Sequence, residues 1–297
     1  MIKEKLITVF TPTYNRAYCL HQLYESLLRQ TSTNFEWLII DDGSTDTTKD
    51  LVQGWMDENK ISIQYVFQEN QGMHGAHNTA YENIKTELNV CIDSDDCMPD
   101  NAIELIENKW NKVLNNKNIA GVVGIDIFKD GTIVGKPLPQ SITSSTLYNL
   151  YYKYKITGDK KLVLRTDVVK KYPKYPIFKG ERFVPLGVLY LMIDQDYQLA
   201  CLNKPICVVE YLADGSSLNI FKQYKNNPRG FRYSRKIELK YYKSTRLKML
   251  KVLHLISSTL FIGDFKFLKN NPKKLVTVFS LPLGILFHLY IVFKSKR

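Results

Sequence analysis

The chain has 297 residues, of which 44% are hydrophobic, and this length and content exclude a disordered protein and allow one large domain or two small ones. Its formal net charge of +12 is concentrated in residues 215–297, which contain 18 Lys and Arg against two acidic residues, while the remaining residues carry a net charge of −4. A mildly acidic globular body joined to a basic C-terminal part suits contact with an anionic membrane surface or with nucleic acid.

The first hundred residues alternate short apolar segments with helical patterns. The segment "LITVF" predicts a strand that ends before Thr11 and Pro12, and leucines at helical spacing follow it between residues 18 and 30. Because repeated strand–helix units form a parallel, doubly wound sheet, we predict an α/β fold with a Rossmann-like sheet. Three further strands are predicted in the same way, in "EWLII" (residues 36–40), "ISIQYVF" (residues 61–67) and "LNVCI" (residues 88–92).

Polar sequence follows each of these four predicted strands. In open parallel sheets, ligands bind beyond the carboxyl ends of the strands. The sequence therefore predicts one crevice that is lined by residues 11–16, 41–46, 70–78 and 93–96.

The chain beyond residue 100 is predicted to mix helices and strands. A helix is expected from residue 101 to about residue 115, then a strand in "AGVVGIDIF" with a hairpin turn at residues 129–131, and strands around a helix in residues 160–173 and 204–212. This mixed α+β part is predicted to complete the same domain. The predicted divisions are two halves of that domain, residues 1–105 and 106–226, and a basic helical region, residues 227–297.

The C-terminal region contains 19 residues without a charge, residues 275–293, followed by three basic residues. This length is just sufficient to span a bilayer. Pro282, Gly284 and His288 instead favour a helix or a broken hairpin that lies in the membrane interface. An apolar helix that docks on the domain is the remaining alternative.

The cysteines indicate a reducing compartment. Five cysteines without C-x-x-C spacing, in a chain whose start does not resemble a signal peptide, predict reduced cytosolic thiols. The few histidines do not form ligand-like pairs with these cysteines, so no zinc site is expected.

The segment "CIDSDDCMPD" (residues 91–100) places four carboxylates directly after the fourth predicted strand, and three interpretations are open. An EF-hand calcium loop fits Asp93 and Asp95 at positions 1 and 3, but Met98 stands where that loop needs glycine. A solvated turn that caps the next helix explains Asp100, but not two carboxylates at i and i+2. A site for Mg²⁺ or Mn²⁺ needs one or two carboxylates besides the phosphates it holds. In an extended segment alternate residues point to opposite sides, so one carboxylate can face a nucleoside and the next a metal.

Four motifs in combination are more specific than the acidic segment alone. They are "TPTYNR" (residues 11–16), "WLIIDDGSTDTT" (residues 37–48), "NQGMHGAHN" (residues 70–78) and "CIDSDDCMPD" (residues 91–100). Together they resemble the family 2 glycosyltransferases, which are inverting enzymes of GT-A fold. Later segments, "GERFVP", "YLADGSS" and "KNNPRGF", are similar to those of bacterial capsule and surface polysaccharide glycosyltransferases, which extends the resemblance to about residue 231.

The resemblance implies which residues bind the sugar donor. Thr11 and Tyr14 would contact the nucleotide, with Tyr14 stacked on uracil, and Asp42 would accept a hydrogen bond from uracil N3–H. Asp93 would bond ribose or sugar hydroxyls, and Asp95 would bind Mn²⁺ or Mg²⁺. Two neighbours are assigned to the same donor segment, Ser94 and Asp96.

The loop "NQGMHGAHN" is implied to approach the nucleotide. Gly72 and Gly75 would let the backbone come close to it. Many members of the family have a lysine at the position of Met73. His74 and Arg16 are therefore the candidates to replace that charge contact with the donor.

Inverting transfer also needs a carboxylate that takes the proton from the acceptor hydroxyl. The family places it at the start of a helix, and Glu181 in "GERF" is the best match. Asp194 and Asp196 are rivals, which would lie at the far end of that helix. The segments around Asp214 and Arg229 are predicted to form a flexible lid, in which both residues are candidates for contact with diphosphate or acceptor.

These assignments predict a metal-dependent inverting glycosyltransferase that moves a sugar from a UDP-sugar to an oligosaccharide on polyprenyl pyrophosphate, in bacterial capsular or exopolysaccharide synthesis. The C-terminus predicts peripheral or monotopic association with the cytoplasmic face of the cell membrane. A nucleotidyltransferase is one alternative, but the first loop lacks the Gly-rich, basic phosphate loop that it requires. A nucleic-acid-binding protein is the other, and the uncharged residues 275–293 argue against it.

Overall fold

The computed structural model describes residues 5–210, 219–264, 271 and 273–296. These residues form a mixed α/β sheet structure with a helical C-terminal region, so the predicted fold class is confirmed. Asp214 of the predicted lid lies outside the described residues. The domain boundaries after residues 105 and 226 stay predictions.

The strands in the described residues form one sheet with the order β3-β2-β1-β4-β7-β5-β8-β6. They are β1 (Ile7–Thr13), β2 (Phe35–Asp41), β3 (Ile63–Phe67), β4 (Leu88–Cys91), β5 (Ile119–Ile127), β6 (Ser144–Ser145), β7 (Lys160–Arg165) and β8 (Gln198–Val208). The first four strands are parallel, as their strand–helix units predict. β7 then lies between β4 and β5 and runs antiparallel to both.

Helices follow the first four strands, as predicted from the leucine spacing and the polar caps. These helices are α1 (Ala17–Leu28), α2 (Thr48–Glu58), α3 (Met73–Asn83) and α4 (Ala102–Asn111). Three short helices come next along the chain, α5 (Leu147–Tyr152), α6 (Thr166–Val169) and α7 (Gly187–Ile193). The C-terminal region contains α8 (Ile220–Asn226), α9 (Pro228–Tyr241), α10 (Thr245–Ile262), α11 (Lys274–Phe279) and α12 (Leu281–Lys294).

Strand β1 is longer than its apolar run predicts. Every residue of β1 is buried, which is expected for a central parallel strand covered on both faces. β1 pairs with β2 as far as Thr13, whereas its pairing with β4 ends at Phe10. Among the described residues, no strand pairs with β1 on the β4 side at Pro12, so the missing N–H of this proline leaves no hydrogen bond unmade. β1 can therefore continue through Pro12, although proline usually ends a strand.

Aromatic stacking fixes the packing of α1 and α2 on this part of the sheet. The ring of Trp55 stacks on Tyr24 at 4.4 Å and on Trp37 at 5.8 Å between centroids. The indole N–H of Trp37 also donates to Oγ1 of Thr11 at 2.9 Å. These contacts hold β1 and β2, which carry two of the four motifs, in a fixed relation to their helices.

The chain divides into two compact units. The first comprises Met1–Asn70, Ala76–Pro173 and Ile193–Tyr211, and it contains the whole sheet. The second comprises Gln71–Gly75, Lys174–Met192 and Leu212–Arg297, and it contains α8 to α12. Inside the second unit, Leu239 of α9 packs with Val252, Leu255 and Ile256 of α10. Gly284 of α12 fits closely against α10, because a Cβ there would lie 2.5 Å from Cδ1 of Ile256.

The uncharged C-terminal stretch is interrupted, as Pro282 predicts. α11 ends at Phe279, Ser280 separates the two helices, and Pro282 occupies the first turn of α12. In the part of the chain that the structure describes, no helix has both the length and the apolar character required to span a bilayer.

Candidate active site

The loops that follow β1 and β2 are bonded to each other through Asn15. This residue adopts a left-handed conformation with φ of 53°, which asparagine tolerates better than most residues. Its backbone N–H donates to Oγ of Ser44 at 2.8 Å, and its side-chain oxygen accepts from the N–H of Thr45 at 2.7 Å. The motifs "TPTYNR" and "WLIIDDGSTDTT" therefore form one connected surface at the carboxyl edge of the sheet.

Two neighbouring carboxylates at the end of β2 have different surroundings. Asp41 accepts from the N–H of Ser44 at 2.7 Å and from the hydroxyl of Tyr65 at 2.5 Å, so it braces the turn. Asp42 is also buried, and its Oδ1 accepts from Nε2 of Gln68 at 2.6 Å. This bond fixes the position of the Asp42 carboxylate.

The residues of "TPTYNR" differ in their exposure. Tyr14 directly follows β1 and is 49% exposed, which suits the stacking role that the resemblance implies. Thr11 is fully buried and its hydroxyl accepts from Trp37. The bond with Trp37 gives the Thr11 side chain a structural role, and its implied contact with the nucleotide stays a prediction. The guanidinium group of Arg16 donates to the hydroxyl of Tyr18 and lies 5.6 Å from the centre of that ring.

The loop "NQGMHGAHN" is partly helical, since α3 begins at Met73. His74 is a helical residue and is buried, and the implied contact of its side chain with the donor stays a prediction. Gly72 has a φ of 81°, and a Cβ there would lie 1.9 Å from the carbonyl oxygen of Arg182. Packing against the segment that contains Glu181 thus requires a glycine here, and the implied approach of the nucleotide to Gly72 stays a prediction.

The acidic segment after β4 forms a turn instead of the extended segment that we predict. The N–H of Asp96 donates to the carbonyl oxygen of Asp93 at 3.1 Å. Asp93 and Asp95 are half-buried, whereas Ser94 and Asp96 are buried. We call residues 93–96 the acidic turn. It leaves two carboxylates partly exposed at the carboxyl edge of β4 and directs the third into the protein.

Asp96 is held inside the first unit by three polar groups. Its Oδ1 accepts from the N–H of Glu210 at 3.2 Å, and its Oδ2 lies 3.5 Å from Nζ of Lys161 and 3.6 Å from Sγ of Cys207. Burial raises the pKa of Asp96 to about 7, which Lys161 opposes and the charges of Asp93 and Asp95 increase.

No group of three or more His, Cys, Asp and Glu side chains in the described residues is arranged to hold a metal ion. The donor chemistry of Asp95 nevertheless fits Mg²⁺ or Mn²⁺, because these ions prefer oxygen ligands and are commonly bound by one or two carboxylates together with substrate phosphates.

Glu181 lies in the second unit and differs from its predicted setting. The helix that follows it, α7, begins only at Gly187, so Glu181 is not at the start of that helix. Its carboxylate instead accepts from the N–H groups of Arg229 at 2.9 Å and Gly230 at 2.8 Å, at the N-terminus of α9. Glu181 is 6% exposed, and the positive end of the α9 dipole favours its negative charge.

The two rival carboxylates have structural partners. Asp194 follows α7 and accepts from the N–H groups of Leu147 at 2.9 Å and Tyr148 at 2.6 Å, so it caps α5. Burial raises the pKa of Asp194 to about 6, against the effect of these two bonds. Asp196 accepts from the hydroxyl of Tyr172 at 2.7 Å.

Arg229 is exposed, and its candidacy for contact with diphosphate or acceptor stays a prediction. Its guanidinium group donates to the carbonyl oxygen of Lys179 at 3.3 Å. The residue belongs to the first turn of α9, however, and the neighbouring Asn227 accepts from the N–H of Arg182 at 2.7 Å. The segment "NNPRG" is therefore a helix start with defined contacts, and its role in a flexible lid stays a prediction.

Three residues that position this site are not identified from the sequence. Asn15 joins the first two loops, Gln68 fixes Asp42, and Lys161 pairs with Asp96. The available signals were weak: an asparagine in a turn, a glutamine directly after a strand, and a lysine in the apolar pattern of β7.

Comparison with known proteins decides the family. The model of the family described as "Glycosyl transferase family 2" matches residues 8–172, which is more than half of the chain. The chain belongs to this family. It is therefore a glycosyltransferase. The matched residues of this family 2 enzyme include strands β1 to β7 and the acidic turn.

The curated relatives of this glycosyltransferase include an enzyme with a lipid-linked acceptor in its name. It is the UDP-Glc:alpha-D-GlcNAc-diphosphoundecaprenol beta-1,3-glucosyltransferase WfgD of Escherichia coli, which is 29% identical over 228 residues, or 75% of this chain and 83% of WfgD. Alignments with seven further curated relatives are local and span between 15% and 38% of those proteins.

Solved structures establish that the family 2 chain has the GT-A fold. Residues 1–349 of TarS from S. aureus, crystallised with UDP-GlcNAc, superpose with a TM-score of 0.62 at 18% identity, over 98% of this chain and 88% of that one. The mannosyltransferase PcManGT from Pyrobaculum calidifontis, in complex with GDP-Man and Mn²⁺, gives a TM-score of 0.57 at 16% identity, over 97% and 88% of the two chains.

Proposed function

We propose that this glycosyltransferase moves a sugar from a UDP-sugar to a hydroxyl of a lipid-linked oligosaccharide, with inversion, in bacterial capsular or exopolysaccharide synthesis. The observation that carries the proposal is that acidic side chains lie at the carboxyl ends of both β2 and β4. Asp42, held by Gln68, follows β2, and the acidic turn follows β4. The UDP-Glc and diphosphoundecaprenol in the name of WfgD, and the UDP-GlcNAc bound to TarS, support this choice of donor and acceptor.

In this proposal the first unit binds the nucleotide through three residues. Tyr14 stacks on uracil, a contact that contributes about 1–3 kcal/mol for bases on aromatic side chains. Asp42 accepts from uracil N3–H, and Gln68 keeps the accepting carboxylate in place. Asp93 accepts from ribose or sugar hydroxyls.

Asp95 is proposed to bind Mn²⁺ or Mg²⁺ together with the diphosphate of the donor. The half-buried carboxylate at the end of β4 supports this role, since these ions take carboxylate and phosphate oxygens as ligands. When bound, the ion stabilises the charge on the departing diphosphate as a Lewis acid. The PcManGT complex, which contains Mn²⁺, is a relative in fold that supports the choice of ion.

Glu181 is proposed as the general base. The acceptor oxygen forms a bond to the anomeric carbon on the face opposite the diphosphate, the acceptor hydroxyl gives its proton to the Glu181 carboxylate, and the diphosphate leaves with the electrons of the broken C–O bond. The two N–H groups at the start of α9 orient the carboxylate, and each of its oxygens retains a further acceptor position.

Membrane association is proposed from the surface of α11 and α12. Both helices expose large apolar side chains, of which Phe279 at 83% is the most exposed. Lys273, Lys274, Lys294 and Lys296 flank them and can meet anionic headgroups. Exposed apolar surface next to lysines is the pattern of a helix that lies in the membrane interface. The proposed location is the cytoplasmic face of the cell membrane, where the lipid-linked acceptor is available.

The test is to incubate the protein with a panel of UDP-sugars and Mn²⁺ and to measure UDP release and the shift of the unfolding temperature with UDP. At least one UDP-sugar should be turned over, and UDP with Mn²⁺ should raise the unfolding temperature. Turnover with none of them and no shift with UDP would refute the assignment of the donor. Binding of DNA or RNA with a steep salt dependence would favour the nucleic-acid alternative.

A further inference from the structure

A buried lysine lies beneath the acidic turn. Lys161 belongs to β7, whose antiparallel register with β4 pairs Val163 with Val90. Two residues further along this register, Lys161 is beside the point at which the chain leaves β4 and enters the acidic turn. The Lys161 side chain is 13% exposed, which is rare for a lysine that has no specific role.

The surroundings of Lys161 are acidic and are shared with the turn. Nζ of Lys161 lies 3.5 Å from Oδ2 of Asp96, and Sγ of Cys207 lies 3.6 Å from the same oxygen. Asp126 of β5 is also buried, and its Oδ1 accepts no hydrogen bond from any residue that the structure describes. Burial alone lowers the pKa of Lys161, but Cys207, Asp126, Asp96 and Asp93 together raise it well above its ordinary value. The Lys161 side chain thus lies within a group of carboxyl groups.

Asp96 links Lys161 to the half-buried carboxylates of Asp93 and Asp95. The backbone bond from Asp96 to Asp93 closes the acidic turn, and Asp95 lies within that turn. Removing one partner of a buried polar pair leaves the other group without that contact, at a cost in free energy. Lys161 is one of the three groups that hold the Asp96 side chain, so its loss would loosen the turn and displace Asp93 and Asp95.

We propose that Lys161 is a positioning residue, which fixes the acidic turn through Asp96 and thereby sets the affinity for a divalent cation and a nucleoside diphosphate without touching either. The inference rests on the proposed function, because it assumes that Asp95 binds the cation. Residues that orient metal ligands typically change metal affinity by about 10- to 100-fold when they are replaced.

The test measures binding and does not depend on turnover. Mn²⁺ binding to the full chain in the presence of UDP is titrated by calorimetry for the wild-type protein, Lys161→Met, Lys161→Arg and the double variant Lys161→Met with Asp96→Asn. Lys161→Met should weaken Mn²⁺ binding about 10- to 100-fold. Lys161→Arg keeps the charge and should retain most of the affinity. The double variant removes both partners of the pair, and it should bind more tightly than Lys161→Met alone.

Lys204 of β8 provides the matched control, because it is an exposed lysine of the same unit. Lys204→Met should bind Mn²⁺ and UDP as the wild-type protein does. Wild-type affinity in Lys161→Met would overturn the inference, and so would a double variant that binds no better than Lys161→Met. If Lys161→Met does not fold, the comparison of Lys161→Arg and the double variant with the wild-type protein decides in the same way. If the wild-type protein binds neither UDP nor Mn²⁺, the proposed function itself is refuted. If the wild-type protein binds both ligands and Lys161→Met binds them equally well, only the role of Lys161 is refuted.

Discussion

At the scale of single residues, Asp42 offers a test of nucleotide recognition. Gln68 fixes its carboxylate, so Asp42→Asn should keep the fold and lose the charged acceptor for uracil N3–H. A hydrogen bond to a charged group contributes about 1.5–3 kcal/mol, so UDP should bind about 10- to 100-fold more weakly. Cytosine has no N3–H, and the preference for UDP over CDP should therefore shrink in the variant. Asp57→Asn, an exposed change on α2, is the control in a calorimetric titration; equal UDP affinity in both variants would contradict the assignment.

Glu181 has a structural contact and a proposed chemical role, and one variant can separate them. In Glu181→Gln the amide oxygen can still accept one N–H bond at the start of α9, so the loss of stability should be about 1 kcal/mol. The transfer rate should fall by about 10²- to 10⁴-fold, as for the loss of a general base, while UDP binding is unchanged. Asp194→Asn also alters a capping carboxylate, at α5, and it should lower the unfolding temperature but not the rate. A Glu181→Gln enzyme with near-normal turnover would move the base elsewhere.

Asp126 predicts a pH dependence of stability. Burial raises its pKa to about 6, with Lys161 and Lys160 opposing and Asp159 and Asp93 contributing to the rise. The folded state therefore binds this proton more tightly than the unfolded state, whose pKa is near 3.8, and the stability from Asp126 is lost as the pH rises from about 4 to about 6. Asp126→Asn does not titrate. The difference in the free energy of unfolding, Asp126→Asn minus wild type, should thus increase by about 1–3 kcal/mol between pH 4 and pH 7. Urea titrations at both pH values measure this, and a constant difference would be inconsistent with the burial of a charged Asp126.

At the scale of elements, Gly72 connects the loop before α3 with the segment that contains Glu181. In Gly72→Ala the new Cβ would meet the Arg182 carbonyl oxygen at 1.9 Å, so this backbone must move. Gly131 is the matched control, since its φ of 84° is close to the 81° of Gly72 and no described atom lies within 4 Å of its Cβ position. Gly131→Ala should lower the free energy of unfolding by about 1 kcal/mol, because alanine is strained at this positive φ. Gly72→Ala should cost more and should also slow transfer, because Glu181 precedes the displaced residue. Equal losses of unfolding temperature and equal rates would show that the close contact is unimportant.

Elements and loops differ in how far they can be predicted from the sequence. The parallel strands β1 to β4 can be predicted because apolar runs and helical spacing are local signals. The carboxyl ends of these strands then indicate where Tyr14, Asp42 and the acidic turn lie. The insertion of β7 between β4 and β5 depends on pairing between residues more than 70 positions apart, which no local pattern encodes. For the same reason no local pattern indicates that Lys161 pairs with Asp96, 65 residues away, or that Glu181 caps α9 across 48 residues. Resemblance to a family located Glu181 but could not show what surrounds it.

At the scale of the whole molecule, the uneven charge of the sequence corresponds to two proposed roles, donor binding by the first unit and membrane binding by the second. The sheet and its acidic turn belong to the unit that is expected to bind the donor, and the basic helices α8 to α12 belong to the other unit. A soluble nucleotide needs only the first of these surfaces. An acceptor that is attached to a lipid requires the enzyme to remain at the membrane, and the apolar and basic surfaces of α11 and α12 supply the two attractions that interfacial helices use.

Membrane association can be tested with the full chain and vesicles of defined composition. Phe279→Glu combined with Leu286→Glu removes two exposed apolar side chains from α11 and α12 and adds two negative charges. Burial of one such side chain contributes about 1.5–3 kcal/mol, so binding to phosphatidylglycerol vesicles should fall by at least about 10-fold in a flotation assay. Leu114→Glu combined with Ile133→Glu makes the same chemical change at exposed positions of the other unit, and this variant should still bind. Wild-type binding should weaken with added salt and with neutral phosphatidylcholine vesicles, because the flanking lysines act through screened charges. If the two double variants float equally with the vesicles, α11 and α12 do not form the membrane-binding surface.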